Sequence, residues 1–306
     1  MPLSDLFGHF RRRNEPNASG AARPFPPDLA RALENLDRLV AERPELAPSG
    51  RTLGKVLTAA FSEPVPEPEK PHAEVDLLIQ AWRAGVPAFR AGETPPAVDP
   101  DGLRRRVLGV VECLCETNPT APALADALRS GRADPHAWAQ EVLGQAQEPT
   151  APGLDRMGLH GALAPAALRL GLLPLLEAHT RRLDGLRPDG IWTRGDCPHC
   201  GGPPSLAESR GLEQRRFWRC GVCAAGWPGD RLRCPFCDET DHRRLSYRFV
   251  EGEQDRMRLD LCETCGGRLR VVSTLRPISA PGLLVAELAT AHLDALGDAD
   301  VEEPPP

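Results

Sequence analysis

Residues 197–204 read "CPHCGGPP", and the reading of this stretch decides that of the whole chain. Two cysteines two residues apart can close on one ion, because the tight turn between them presents both sulfurs together. Three companion pairs follow: "CGVC" at 220–223, "CPFC" at 234–237 and "CETC" at 262–265. The chain must often leave such a turn at positive φ, which glycine adopts without strain. Gly201 and Gly266 stand at that point. Asp238 tolerates the conformation, and Ala224 is the weak member of the four.

Two such pairs make one tetrahedron. Nineteen residues separate Cys200 from Cys220, and 24 separate Cys237 from Cys262, so each gap holds one hairpin. The simplest arrangement is sequential. Cys197, Cys200, Cys220 and Cys223 form one site, and Cys234, Cys237, Cys262 and Cys265 the other. Crossed pairing stays geometrically open. A reducing compartment keeps thiols free and favours metal over disulfides. Four thiolates close the coordination shell, which argues against hydrolysis at an open position and against an enzyme. Zinc in such a cage is structural and iron is redox-active; spacing does not separate them.

Outward from this region, the chain has 306 residues and a net charge of −6. Residues 191–276 carry 15 arginines and 12 acids, a net of +3. That is too small an excess for a protein that tracks a phosphate backbone, so nucleic acid is not the expected partner. Only Lys55 and Lys70 are lysines. The N-terminus, "MPLSDLFGHFRRRNEP", lacks the apolar core of a secretion signal, which predicts a cytoplasmic protein. The longest apolar run, Leu159 to Leu176, is short for a bilayer and contains Arg169; it predicts buried helix and no membrane partner.

Residues 1–26 read as a flexible arm and 27–190 as a helical domain. Leu29, Leu33, Leu36 and Val40 repeat at helical spacing, as do Val75, Leu78, Ile79 and Trp82, and then Leu103, Val107, Leu108, Val111 and Leu114. Ala121 to Ser130 is a short helix with Gly131 at its end, and another lies near His136 to Val142. Residues 158–185 predict two helices split at Pro174. "SEPVPEPEKP" (62–71) and "ETPPAVDP" (93–100) break the chain. Residues 191–276 alternate polar and apolar side chains in "EQRRFWRC", "RRLSYRFV", "RMRLDLC" and "RLRVV", the period of strands. Residues 277–306 hold one closing helix, from Leu283 to near Gly297, and an acidic tail.

Several weaker features have structural readings. Cys113 and Cys115 lie about 200° apart on a helix and read as core residues. His199 and His242 read as exposed rather than ligating. "GRTLGKV" (50–56) is one residue short of a phosphate loop and reads as helix. Trp218, Trp227 and Phe236 read as packing for small ribbon cores.

The runs "LLPLLEAHTRRLDGLRPDGIWTRGDCPHCGGPP", "RFWRCGVCAAGWPGDRLRCPFC" and "LDLCETCGGRLRVV" resemble the formate dehydrogenase accessory protein FdhE family. The resemblance is specific over about 172–289. It implies a cytoplasmic, rubredoxin-like protein with iron in its Cys₄ sites and all eight cysteines as ligands. It also implies a role in obtaining active formate dehydrogenase through contact with that enzyme's catalytic subunit. Arg268-Leu269-Arg270 replaces the family's usual Tyr-Leu-Lys, and the tail differs. The expected fold is α+β: an N-terminal all-α helical bundle, two tandem rubredoxin-like or zinc-ribbon β modules, and a C-terminal helix. The expected cofactors are two tetrathiolate metal ions, iron favoured and zinc the alternative. Two other functions fit the cysteines: a zinc-ribbon nucleic-acid or transcription module, and a rubredoxin-like electron carrier.

Overall fold

The computed structural model describes residues 26–92, 96–144 and 162–298. The expected arm, apart from Pro26, lies outside these residues, as do 158–161 and the last eight residues of the acidic tail.

The helical region begins with α1 (Pro27–Glu42), which buries Leu29, Ala32 and Leu36 along one stripe. Next come α2 (Ala47–Phe61) and α3 (Val75–Arg83). The stretch "GRTLGKV" lies inside α2, as its helical reading expects. Asp99 caps α4 (Pro100–Glu112), accepting the N–H groups of Asp101 and Gly102 at 3.2 and 3.0 Å. Two short helices, α5 (Ala121–Arg129) and α6 (Pro135–Gly144), complete the layer around α7 (Leu163–Asp184).

Helix α7 corrects the expected split at Pro174, since one helix runs through that residue. Proline removes one helical hydrogen bond and costs about 3 kcal/mol. The flanking residues offset this: Ala167, Leu168, Leu172, Leu173, Leu175 and Leu176 are all buried, around most of the helix circumference. A helix enclosed on every side is held by its neighbours more than by its own ladder.

The C-terminal half forms one six-stranded sheet in the order β3-β2-β1-β6-β5-β4. The strands are β1 (Pro204–Arg210), β2 (Arg215–Cys220), β3 (Gly226–Pro228), β4 (Leu245–Arg248), β5 (Met257–Cys262) and β6 (Arg268–Thr274). Each cysteine ribbon supplies three consecutive antiparallel strands. The first strand of the first ribbon pairs in parallel with the last strand of the second, Ala207 opposite Val271 through Arg210 opposite Thr274. The two ribbons are therefore copies of one unit joined head to tail. The expected closing helix is interrupted. Helix α8 (Ala280–Ala289) stops at Thr290, whose hydroxyl bonds back to the Ala286 carbonyl at 2.7 Å, and a single 3₁₀ turn leads into α9 (Asp294–Asp298).

Strand β1 sits mid-sheet and carries a fully buried carboxylate, Glu208. Arg210 donates to it at 2.8 and 3.1 Å, Arg219 of β2 donates from Nη1, Thr274 of β6 bonds at 3.2 Å, and the Ile278 N–H approaches at 3.3 Å. Burial alone would raise its pKa, but the two guanidinium groups outweigh burial and hold it below the ordinary 4.5. A group with a lowered folded pKa adds stability above its unfolded pKa and loses it as pH falls through the folded one. We expect Glu208→Gln to lose about 3 kcal/mol in urea unfolding at pH 7, because the buried Arg219 and the half-buried Arg210 lose their charged partner. The gap to the unaltered protein should narrow as pH falls below 4.5; a constant gap down to pH 3 would contradict this assignment.

Candidate metal centres

Each CxxC pair sits on a turn that begins and ends in backbone hydrogen bonds. In the first, Cys197 N–H bonds to Gly202 O and Gly201 N–H to Cys197 O, both at 2.9 Å. The fourth repeats this with Cys262 to Gly267 at 3.0 Å and Gly266 to Cys262 at 2.9 Å. The residue after each second cysteine has positive φ: Gly201 at 80°, Ala224 at 58°, Asp238 at 62° and Gly266 at 69°. Even the alanine is held there, since Arg219 donates to its carbonyl at 2.8 Å.

The pairing is sequential. Cys197, Cys200, Cys220 and Cys223 converge, as do Cys234, Cys237, Cys262 and Cys265, with the four sulfurs of each group within 4.8 Å of one another. In the first cluster Cys197 to Cys223 is 3.6 Å and Cys200 to Cys220 is 3.4 Å. In the second, Cys234 to Cys265 and Cys237 to Cys262 are both 3.7 Å. These separations exceed a disulfide bond and approach the ~3.8 Å edge of a tetrahedron with metal–sulfur bonds of ~2.3 Å. Backbone N–H groups aim at the sulfurs as they would at thiolates: His199 to Cys197 and Gly202 to Cys200 at 3.4 Å, Val222 to Cys220 and Gly267 to Cys265 at 3.3 Å. Burial pushes the Cys197, Cys223 and Cys234 thiols up, so these cages do not gather four negative charges without a cation. The donor set fits a soft, tetrahedral metal ion in each cluster.

The clusters differ in surroundings. Cys197, Cys220 and Cys223 are buried, whereas Cys237 and Cys265 are exposed. The first cluster is sunk against the helices. Trp82 Nε1 of α3 donates to Pro198 O at 2.8 Å, and the N–H groups of Ala88 and Phe89 bond to Pro198 O and His199 O at 2.9 and 2.8 Å. Arg169 of α7 donates to Gly221 O and pairs with Glu287 at 3.0 Å, and Ser205 bonds the same carboxylate at 2.7 Å. The clusters also touch through the backbone. A Cβ on Gly195 would meet Pro235 O at 1.9 Å, so only glycine lets the approach to the first cluster pass beside the third turn.

His199 corrects its expected exposure. It is fully buried, with Nε2 2.9 Å from Asp184 Oδ1 and its ring edge-on to Trp82 at 6.2 Å. It belongs to neither cluster and fastens the first turn to the helices. His242 is exposed, as expected. Trp218 and Trp227 are core residues, but Phe236 is 41% exposed and lies over Gly267 instead. Cys113 and Cys115 are half-buried at the end of α4 and join no cluster among the described residues. Sequence reasoning missed Glu208, whose signal is weak: a lone acid in "PSLAESR", where burial on both faces erases the alternation.

No protein-family model matches the chain. It is 36% identical over 146 residues to the FdhE homolog of Stutzerimonas stutzeri, covering 45% of this chain and 47% of that one. It is 33% identical over 101 residues to the homolog of Edwardsiella ictaluri, covering 32% of each. It is 28% identical over 107 residues to that of Aquifex aeolicus, covering 34% of this chain and 37% of that one. The chain thus spans less than half the length of each of these relatives. The crystal structure of the FdhE protein from Pseudomonas aeruginosa shares the fold with a TM-score of 0.58 and 22% identity, over 90% of this chain and 92% of that one. The chain is thus similar in sequence to FdhE homologs over about a third to a half of its length, and it shares the fold of the Pseudomonas aeruginosa FdhE protein over nearly all of it.

Proposed function

We propose that each cluster holds one metal ion, with Cys197, Cys200, Cys220 and Cys223 as ligands of the first and Cys234, Cys237, Cys262 and Cys265 of the second. On this reading the protein is a non-enzymatic accessory factor for formate dehydrogenase, acts in the cytoplasm and docks on that enzyme's catalytic subunit. The observation that carries it is the pair of four-sulfur cages set in one sheet, in a chain whose relatives are named FdhE. Among the described residues no helix is long and apolar enough to cross a membrane. The helical region would support the ribbons and share in docking.

Iron is the favoured metal. In a tetrathiolate site it supplies one-electron chemistry; zinc supplies only rigidity. The chain's own contribution is to hold eight sulfurs at fixed separation, direct N–H groups at them and leave one cluster open to solvent. The exposed Cys237 and Cys265 make the second cluster the one a client could reach. The electron-carrier and nucleic-acid readings carry no such link to the family.

Protein purified without oxygen should contain about two ions per chain, iron by metal analysis and by a thiolate charge-transfer spectrum. Pull-down with the catalytic subunit of formate dehydrogenase should capture a complex. Absence of capture, with full metal content, would count against the client. A zinc-loaded protein that activates the client fully would remove the redox role and leave an adaptor.

Cys197→Ser and Cys234→Ser should each lower metal content from about two ions to about one. Cys197→Ser should also destabilise the helical region in a circular-dichroism melt, because its turn is tied to α3 and α7; Cys234→Ser should leave that region nearly unchanged. A chelator should strip one ion several-fold faster than the other from the unaltered protein, and the fast phase should be missing in Cys234→Ser. Retention of both ions in both variants would overturn the ligand assignment.

A further inference from the structure

Away from both clusters, helices α1 and α8 run side by side in the same direction. At one end Glu177 of α7 accepts the Ala280 N–H and feels the charge of Asp28; at the other, Arg43 donates to Ala289 O at 3.1 Å. An open groove of about 830 Å³ follows the two helices. Along α1 it is lined by Asp28, Arg31, Asn35, Arg38 and Glu42. Steps of three and four residues put these on one helix face, about 21 Å from first to last. Arg256, just before β5, and Arg276, two positions past β6, line it from the side of the sheet. Between these walls lie half-buried apolar side chains, among them Leu39, Ile278 and Ala286.

Five arginines and three carboxylates line the groove. Two of the carboxylates are answered within it: Glu177 faces Arg181 at 3.7 Å, and Glu42 faces Arg256 at 3.8 Å. That leaves Arg31, Arg38 and Arg276 against Asp28, a balance of about +2 in a chain whose net charge is −6. All three arginines are exposed and have no hydrogen-bond or ion-pair partner among the described residues. Elsewhere arginines are drawn onto carbonyls and carboxylates, as Arg219 and Arg270 are. Arg31 and Arg38 stand two turns apart, about 10 Å, so each suits an acid of its own. A phosphate chain carries a charge at every step and would meet Asp28 and Glu42 in the same line, with nothing to lay on Leu39, Ile278 and Ala286. A polypeptide places its acids selectively and has apolar side chains for the floor.

We propose that this groove is the docking site for an acidic, amphipathic segment of a partner polypeptide. The segment lays its apolar side chains on Leu39, Ile278 and Ala286 and sets acids against Arg31 and Arg38 on one wall and Arg276 on the other. The proposal deepens the client reading above and rests on it only in supposing that a protein partner exists.

The probes are the rhodamine-labelled peptides AEELAEELAEEL and AQQLAQQLAQQL, read by fluorescence anisotropy against the full chain; each places an apolar stripe at helical spacing. The glutamate peptide should bind saturably, and the glutamine peptide about tenfold more weakly or worse. Raising salt from about 50 to about 300 mM should weaken the glutamate peptide several-fold. Arg31→Glu combined with Arg38→Glu should weaken it about tenfold or more. Metal content and the circular-dichroism melt should stay unchanged in that variant, because both side chains are exposed and unpaired among the described residues. A variant that keeps its affinity would overturn the proposal. Equal binding of both peptides to the unaltered protein would do the same, and that comparison needs no variant. Displacement of the peptide by pyrophosphate or a short oligothymidylate, at about a tenth of the concentration the unlabelled peptide needs, would overturn it in favour of a phosphate site. An affinity about tenfold higher for a chain ended at Asp298 would overturn it in favour of the protein's own acidic C-terminal stretch as the occupant. No binding of either peptide would overturn it as well, leaving metal content and capture of the formate dehydrogenase subunit untouched.

Discussion

The Glu208 carboxylate is the point on which both halves of the sheet converge. Its partners come from β1, β2, the end of β6 and Ile278, two positions before α8. Arg219, one of those partners, passes on to the carbonyls of Ala224 and Ile278. One buried acid thus couples the parallel joint between the ribbons to the second turn of the first cluster and to the closing helix. A buried ion pair is seldom more stabilising than a well-packed apolar substitute, but it tolerates few alternatives. A one-residue slip of β1 would bury Ser209 or Ala207 where the carboxylate belongs and leave two guanidinium groups unmatched.

The head-to-tail repeat explains why two chemically equal cages end in unequal places. Joining β1 to β6 puts the first ribbon's turns against α3, α7 and α8, and leaves β4 and the second ribbon's turns at the far end of the sheet. Residues from four separate elements hold the first cage, so its geometry belongs to the core. The second is held chiefly by its own turns and by the Gly195–Pro235 contact. Solvent reaches two of its sulfurs. Burial, not ligand identity, separates a cage that organises the fold from one that faces outward.

Much of this was legible in the sequence, for local reasons. CxxC spacing, the positive-φ position after each second cysteine and the 3.6-residue stripes are set within a few residues, and the structure follows them. The failures share a different cause. Pro174 breaks an isolated helix, yet α7 is enclosed by its neighbours. Strand β1 is buried on both faces, so it shows no alternation. His199 looks like a spare polar residue until Asp184, fifteen positions upstream, is seen beside it. Each was decided by tertiary contacts that no local window contains.

The arginines complete the case against a nucleic-acid surface. A phosphate-tracking face needs free guanidinium groups in a row. Here most of them are committed inside the molecule. Arg210 and Arg219 serve Glu208, and Arg270 holds Asp294 at 2.9 and 3.0 Å and the Glu287 carbonyl at 3.1 Å. Arg233 spans Asp238 and the Thr193 carbonyl, and Arg231 caps the carbonyls of Glu213 and Gln214. Planar, multi-donor side chains suit these roles because one of them can bind several carbonyls at once. The +3 of the ribbon region therefore counts structural crosslinks rather than a binding stripe.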